Sequence, residues 1–320
     1  MFSRSKKFRC LTPALGKLYS NLNHPIKICR DVPGFWNITG YEREWPKLGK
    51  LFDFLNPQSE IYWLKLLEKE IYLSYFDPYL AKIPRGKKIL DAGGGVGRFS
   101  LELGKRNYQM TLLDACRSNL AAAQKHLAKN GIRDFEILWA DVADLGFIPS
   151  SKYAAVFGIE LLSYLTDTEK GLRELIRVTE PGGLIFLSVE GKYGSVLADP
   201  NIPPDQVDKI LNEDILLIEG DHYTRYFTRD GFKKIIGKCG LEIILLEGCH
   251  YLAEGPFQRL LDERRLSEPE YRKEILAREK QFRDEPTIKD LARVWAAVAR
   301  KPVTGNKLPV TSRRTKTKAK

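Results

Sequence analysis

No unbroken apolar run in this 320-residue sequence approaches the ~18 residues of a bilayer-spanning helix, which excludes a helical integral membrane protein. The N-terminal residues lack the apolar stretch of a secretory signal, so a cytoplasmic protein without membrane attachment is expected. The five cysteines (Cys10, Cys29, Cys116, Cys239 and Cys249) form no Cys-x-x-Cys pair and no metal-ligand spacing, which points to reduced thiols and no bound metal. Acidic residues are missing from both ends: the first is Asp31, and 301–320 hold seven Lys or Arg and none. Residues 1–50 carry ten Lys or Arg against three acids, so the ends hold +14 of a +11 chain and the body between them is −3. A basic chain suggests a nucleic-acid partner, but the near-neutral body confines that reading to the ends. The tail 303–320 is expected to be a disordered basic extension. No internal repeat is present.

What the chain does have is glycine in one place. "ILDAGGGVGRFS", residues 89–100, holds four glycines in five positions directly after an apolar run. Such a cluster sacrifices backbone entropy and needs a reason. Lys87–Ala92 reads as a short buried strand, and Phe99 and Leu103, four apart, open a helix. A strand, tight turn and helix N-terminus present backbone N–H groups and a positive dipole end to a crevice at the sheet's C-terminal edge. Strand and helix then alternate: strands at 110–114, 135–141, 154–158 and 184–189, with helices over 117–129 and 167–178. An amphipathic helix over 59–75 precedes them; a helix capped by Thr228, a strand at 241–247 and another at 293–300 follow. This order predicts an α/β fold: a three-layer, doubly wound, seven-stranded and mostly parallel sheet with an antiparallel last strand, plus helical cap insertions. The expected organisation is a basic, aromatic arm or cap at 1–57 and a core at 58–247 with a lid at 191–227. A helical cap at 248–290, the last strand at 291–302 and the tail complete it. The long insertion and the N-terminal arm are expected to cover the crevice.

The dinucleotide fingerprint Gly-x-Gly-x-x-Gly is absent, because Arg98 stands where the third glycine belongs. Asp91-x-Gly93-x-Gly95-x-Gly97 is present instead. "LDAGGGVGRFSLEL" resembles the first motif of the class I S-adenosylmethionine-dependent methyltransferases, with Gly94 in place of that family's usual cysteine or serine. "LLDA", "WADVADL", "GIELLSYL" and "LIRVTEPGGLIFLSV" resemble the later motifs in order, and the likeness runs from about 86 to 247. The resemblance implies S-adenosylmethionine as cofactor, held by Asp91, Gly93, Gly95, Gly97, Asp114, Asp141, Val142 and Gly158. Asp114 would take the ribose hydroxyls and Asp141 the adenine amine. Asp91 and glycine carbonyls suit an ammonium, although a carboxylate at Asp91 also serves as a simple turn cap.

The acceptor is less marked. The Asn/Asp-Pro-Pro-aromatic motif for exocyclic base amines is missing after the fourth strand, where Gly158-Ile159-Glu160-Leu161 stands. No cysteine sits in the Pro-Cys or Thr-Cys context of cytosine-C5 methylation, and Tyr164 stands where many small-molecule members carry histidine. Glu160, Tyr164 and His222 are the candidate catalytic groups, with Tyr223 and Arg225 as acceptor contacts. His222 reads more readily as a structural or contact residue than as a base, and its aromatic neighbours Tyr223, Tyr226 and Phe227 also read as core. The expected activity is methyl transfer to a small-molecule or peptide-like acceptor. RNA methylation through the basic ends is the alternative, and an inactive cofactor-binding protein a further one.

Overall fold

Short apolar runs become buried strands, and the helices between them cover both faces of the sheet they form. The computed structural model describes residues 55–303, apart from 200, 201, 203 and 219–221, together with the two-residue strand β1 (Lys27–Ile28). Helix α1 (Tyr62–Leu80) leads into β2 (Lys88–Ala92), α2 (Arg98–Lys105), β3 (Gln109–Asp114), α3 (Arg117–Lys129) and β4 (Phe135–Trp139). Then come β5 (Tyr153–Gly158), α4 (Thr168–Val178) and β6 (Thr179–Glu190). Residues 191–227 hold α5 (Lys192–Ala198), α6 (Pro204–Glu213), β7 (Ile215–Ile218) and β8 (His222–Arg225). The chain continues through α7 (Arg229–Lys238), β9 (Glu242–Cys249), α8 (Pro269–Asp284) and β10 (Val294–Arg300).

The seven expected strands lie in the order β4-β3-β2-β5-β6-β10-β9, and β1 adds an eighth beside β4. All neighbours pair in parallel except β10, which is antiparallel to both β6 and β9. The register places Glu190, Val294 and Cys249 side by side, so β9 ends at the same edge as the parallel strands. That edge is where a doubly wound sheet binds ligands.

On one face α1, α2, α3 and α8 bury Ile71, Tyr72, Phe76, Phe99, Leu120 and Ile275 against alternate strand residues such as Ile89, Leu112 and Phe157. Phe76 lands edge-on against a stacked Phe157–Phe186 pair whose ring centres are 4.5 Å apart, and Tyr72 stacks on Phe76 in turn. On the other face α4 and α7 bury Leu172, Leu175, Phe232 and Ile236 against the opposite side chains of the same strands. Asp167 caps α4 by accepting from Lys170 N, and Thr228 caps α7 by accepting from Gly231 N. No helix among the described residues is long and apolar enough to cross a membrane.

The two insertions are less helical than the sequence suggests. In 191–227, the apolar run 215–218 pairs antiparallel with 222–225 as a small hairpin. In 248–290, Phe257, Leu260 and Leu261 fall on a single 3₁₀ turn at 258–260, since three-residue spacing suits that tighter helix as well. Only α8 is a full helix, and it lies against α1 and β9 on the sheet face. Its Glu279, 2% exposed, accepts from the backbone N–H groups of Tyr251, Leu252 and Ala253. That carboxylate fixes the loop after β9 at the ligand edge. The N-terminal arm, apart from β1 and residues 55–57, and the tail from 304 lie outside the described residues.

Candidate active site

The glycine turn between β2 and α2 is left-handed at three alternate positions: Gly93 has φ +68°, Gly95 +55° and Gly97 +90°. A side chain at Gly93 would meet Leu161 at 2.8 Å, whereas one at Gly95 would meet no protein atom within 4 Å. The turn therefore needs glycine for its backbone and keeps open space beside Gly95. That space belongs to a cavity of about 230 Å³ at the C-terminal edge of β2, β3, β4 and β5.

Three carboxylates line it from successive strand ends. Asp91 Oδ2 accepts from Ser100 N at 2.9 Å and Ser100 Oγ at 2.7 Å, so Asp91 caps the first turn of α2 while facing the cavity. Burial outweighs these hydrogen bonds and raises its pKa to about 6. Asp114 accepts from Gly95 N at 2.9 Å and from Cys116 N at 2.8 Å, which ties the end of β3 to the glycine turn. Asp141 accepts from Ala143 N at 2.8 Å. Leu113, Ala140, Val142, Ile159 and Leu165 supply apolar wall.

At the other end the lining is Glu160, Tyr164 and Arg98. Glu160, with φ +57°, donates its N–H to Ser188 Oγ at 2.8 Å and accepts from Tyr72 OH at 2.7 Å. Arg98 lies 3.8 Å from Glu160 and 3.0 Å from Glu68, itself 1% exposed. Lys65 bridges Glu68 and Glu254, both at 2.8 Å, and Arg293 reaches Glu190 at 3.6 Å and Glu254 at 3.8 Å. Burial alone would raise Glu160, but Arg98, Lys65 and Arg293 together hold it down to about 2. Such a carboxylate accepts hydrogen bonds well and is a poor base at neutral pH.

His250 completes the group. It is fully buried, stands edge-on to the Tyr72 ring with centroids 4.5 Å apart, and makes no hydrogen bond through either ring nitrogen. Burial outweighs the nearby Glu160 and lowers its pKa to about 3, so it is neutral. Glu160, His250 (φ +59°) and Glu254 (φ +52°) are all left-handed non-glycine residues gathered in one cluster. Backbone strain of this kind concentrates at functional sites.

Residues 89–183 match the methyltransferase domain family. The chain is 27% identical over 167 residues to a ubiquinone biosynthesis O-methyltransferase of Chromobacterium violaceum, covering 52% of this chain and 69% of that protein. It is 30% identical over 156 residues to the S-adenosyl-L-methionine-dependent Diels-Alderase iccD of Talaromyces variabilis, covering 48% of this chain and 51% of that one. Its fold is that of a SAM-dependent methyltransferase from Methanosarcina mazei, with a TM-score of 0.51 at 16% identity over 71% of this chain and 98% of the other.

Residues 89–183 are a methyltransferase domain.

Around this domain, Asp91, Gly93, Gly95, Asp114, Asp141, Val142, Glu160 and Tyr164 line one cavity. Two residues assigned to the cofactor do not. Gly97, left-handed, caps α2, where a side chain would meet Ala123 and Leu112, and a side chain at Gly158 would meet Leu187 and Leu175. Arg225 is half-buried on β8 and does not line the cavity, while the side chains of His222 and Tyr223 lie outside the described residues. Sequence reasoning missed Tyr72, Arg98, Glu254, His250 and Arg293. A usable signal existed for one segment: "CHYLAEG" directly follows a strand of the sheet, at the edge where ligands bind.

Proposed function

We propose that this methyltransferase binds S-adenosylmethionine between Asp91, Asp114 and Asp141 and methylates a small-molecule acceptor held at Glu160, Tyr164 and Arg98. The observation that carries the reading is one cavity with three strand-end carboxylates at one end and an ion-paired glutamate at the other. The donor set suits the cofactor. Asp114 is a carboxylate acceptor of the kind that suits two ribose hydroxyls, Asp91 faces where an ammonium would lie, and the open volume at Gly95 lets a ligand approach the backbone. Ala140, Val142 and Leu165 suit a flat base. The bound cofactor supplies a methyl group on a sulfonium centre, open to in-line displacement.

The protein's own part is positioning. Tyr72 OH holds the Glu160 carboxylate, and Ser188 Oγ accepts from Glu160 N and donates to Tyr72 OH; the carboxylate so placed orients an acceptor O–H or N–H by accepting from it. Because Glu160 stays ionised, its role is orientation and charge rather than general-base catalysis. Tyr164 contributes a wall with a polar tip. We place the reaction in the cytoplasm, in keeping with free thiols at Cys116, Cys239 and Cys249. The test is transfer of labelled methyl from S-adenosylmethionine into a mixed metabolite pool and, separately, into RNA. Label recovered in small molecules, at a rate insensitive to salt, supports the reading. Label recovered in RNA with a steep salt dependence overturns it.

A further inference from the structure

Beside the cofactor cavity lies a second, larger one of about 470 Å³, and Arg98 lines both. Its charged lining is Lys65 and Lys69 from α1, Arg98 and Lys105 from α2, and Lys125 and Lys129 from α3. No carboxylate residue lines it among those described. In a chain whose body between the basic ends carries −3, six cations around one hollow are a local concentration of charge. At the base, Lys65, Lys69 and Arg98 are answered by Glu68, Glu254 and Glu102. At the mouth, Lys105, Lys125 and Lys129 are exposed and make no ion pair among the described residues. Lysines near helix C-termini also offset the helix dipole, and Lys105 and Lys129 occupy such last turns. That accounts for two lysines one at a time. It leaves unexplained why cations from three helices converge on one concave site.

We propose that this hollow binds a phosphate or comparable polyanionic group of the methyl acceptor, with Lys105, Lys125 and Lys129 as its ligands and Arg98 marking the passage to the transfer site. The inference rests on the acceptor reading above and adds the acceptor's chemical class: a small molecule with an anionic group at one end and its nucleophile at the other. Ammonium donors on flexible stems suit phosphate as point charges, and a concave site keeps their field from being screened as fully as on an open surface.

The test is calorimetric titration of the full chain with inorganic pyrophosphate, and separately with S-adenosylhomocysteine. The proposal expects saturable pyrophosphate binding that weakens with salt and falls at least tenfold in a K105Q/K125Q/K129Q variant. Binding in the control variant K233Q/K234Q, on the opposite face of the sheet, should be unchanged. Affinity for S-adenosylhomocysteine should be the same in all three proteins, so failure of the cofactor reading appears in that titration alone. Absence of saturable pyrophosphate binding, or equal loss in the control, overturns the proposal. So does a single-stranded RNA that binds through the same lysines more tightly than pyrophosphate, which would assign the hollow to nucleic acid.

Discussion

Asp114 offers the sharpest perturbation, because one carboxylate serves both the turn and the ligand. Its two oxygens accept from Gly95 N at 2.9 Å and Cys116 N at 2.8 Å. Asp114→Ala withdraws both acceptors, and leaving buried N–H groups unpaired costs about 1–3 kcal/mol of stability. The ligand loses a charged acceptor for its ribose hydroxyls, worth about 1.5–3 kcal/mol, or roughly ten- to a hundredfold in affinity. Asp114→Asn keeps the shape but sets an NH₂ group against one of the two N–H donors. It should fall between wild type and alanine in stability while losing nearly as much affinity. Calorimetry with S-adenosylhomocysteine reads the affinity, and urea unfolding followed by circular dichroism reads the fold. Undiminished affinity in a folded Asp114→Ala protein would refute the placement of the ribose.

Three further outcomes follow from the same coordinates. Burial lifts Asp91 to about 6, above the ordinary carboxylate value, so the ligand-free fold is favoured as pH falls through 6 and loses that contribution as pH rises. A bound ammonium favours the carboxylate, so S-adenosylhomocysteine should bind about tenfold more weakly at pH 5 than at pH 7, releasing a proton on binding near pH 6; a flat profile would contradict this. Glu279→Ala strips three buried backbone N–H groups of their acceptor and should destabilise the protein by about 2–4 kcal/mol, read as a lower urea midpoint. Gly194→Ala would press a methyl into the Ala292 carbonyl where α5 docks, and should lower the melting temperature by several degrees with cofactor affinity kept.

The cofactor half of the site was legible because its parts are local in sequence. A glycine turn and acids at the ends of consecutive strands each declare themselves within a few residues, and the parallel order of the sheet brings them together. The acceptor half has no such signature. Tyr72 meets Glu160 across 88 residues, and Lys65 meets Glu254 by way of the loop that Glu279 holds in place. In sequence, Lys65, Glu68 and Lys69, spaced i, i+3 and i+4, look like a solvated helix face, yet Glu68 is 1% exposed. Gly158 has a packing reason that its motif position does not show: a side chain there would meet Leu187 and Leu175. Helix α1 runs five residues past its expected end at Tyr75, because Leu80 packs into the core, even though Pro78 forgoes the hydrogen bond to the Ser74 carbonyl.

A crystal structure of the chain with S-adenosylhomocysteine tests the central claim most directly. The account predicts the ribose hydroxyls within hydrogen-bond distance of Asp114, the base beside Asp141 and Val142, and the sulfur facing Glu160 and Tyr164. Density for the ligand outside this cavity, or in it with the base and amino-acid ends exchanged, would contradict the account.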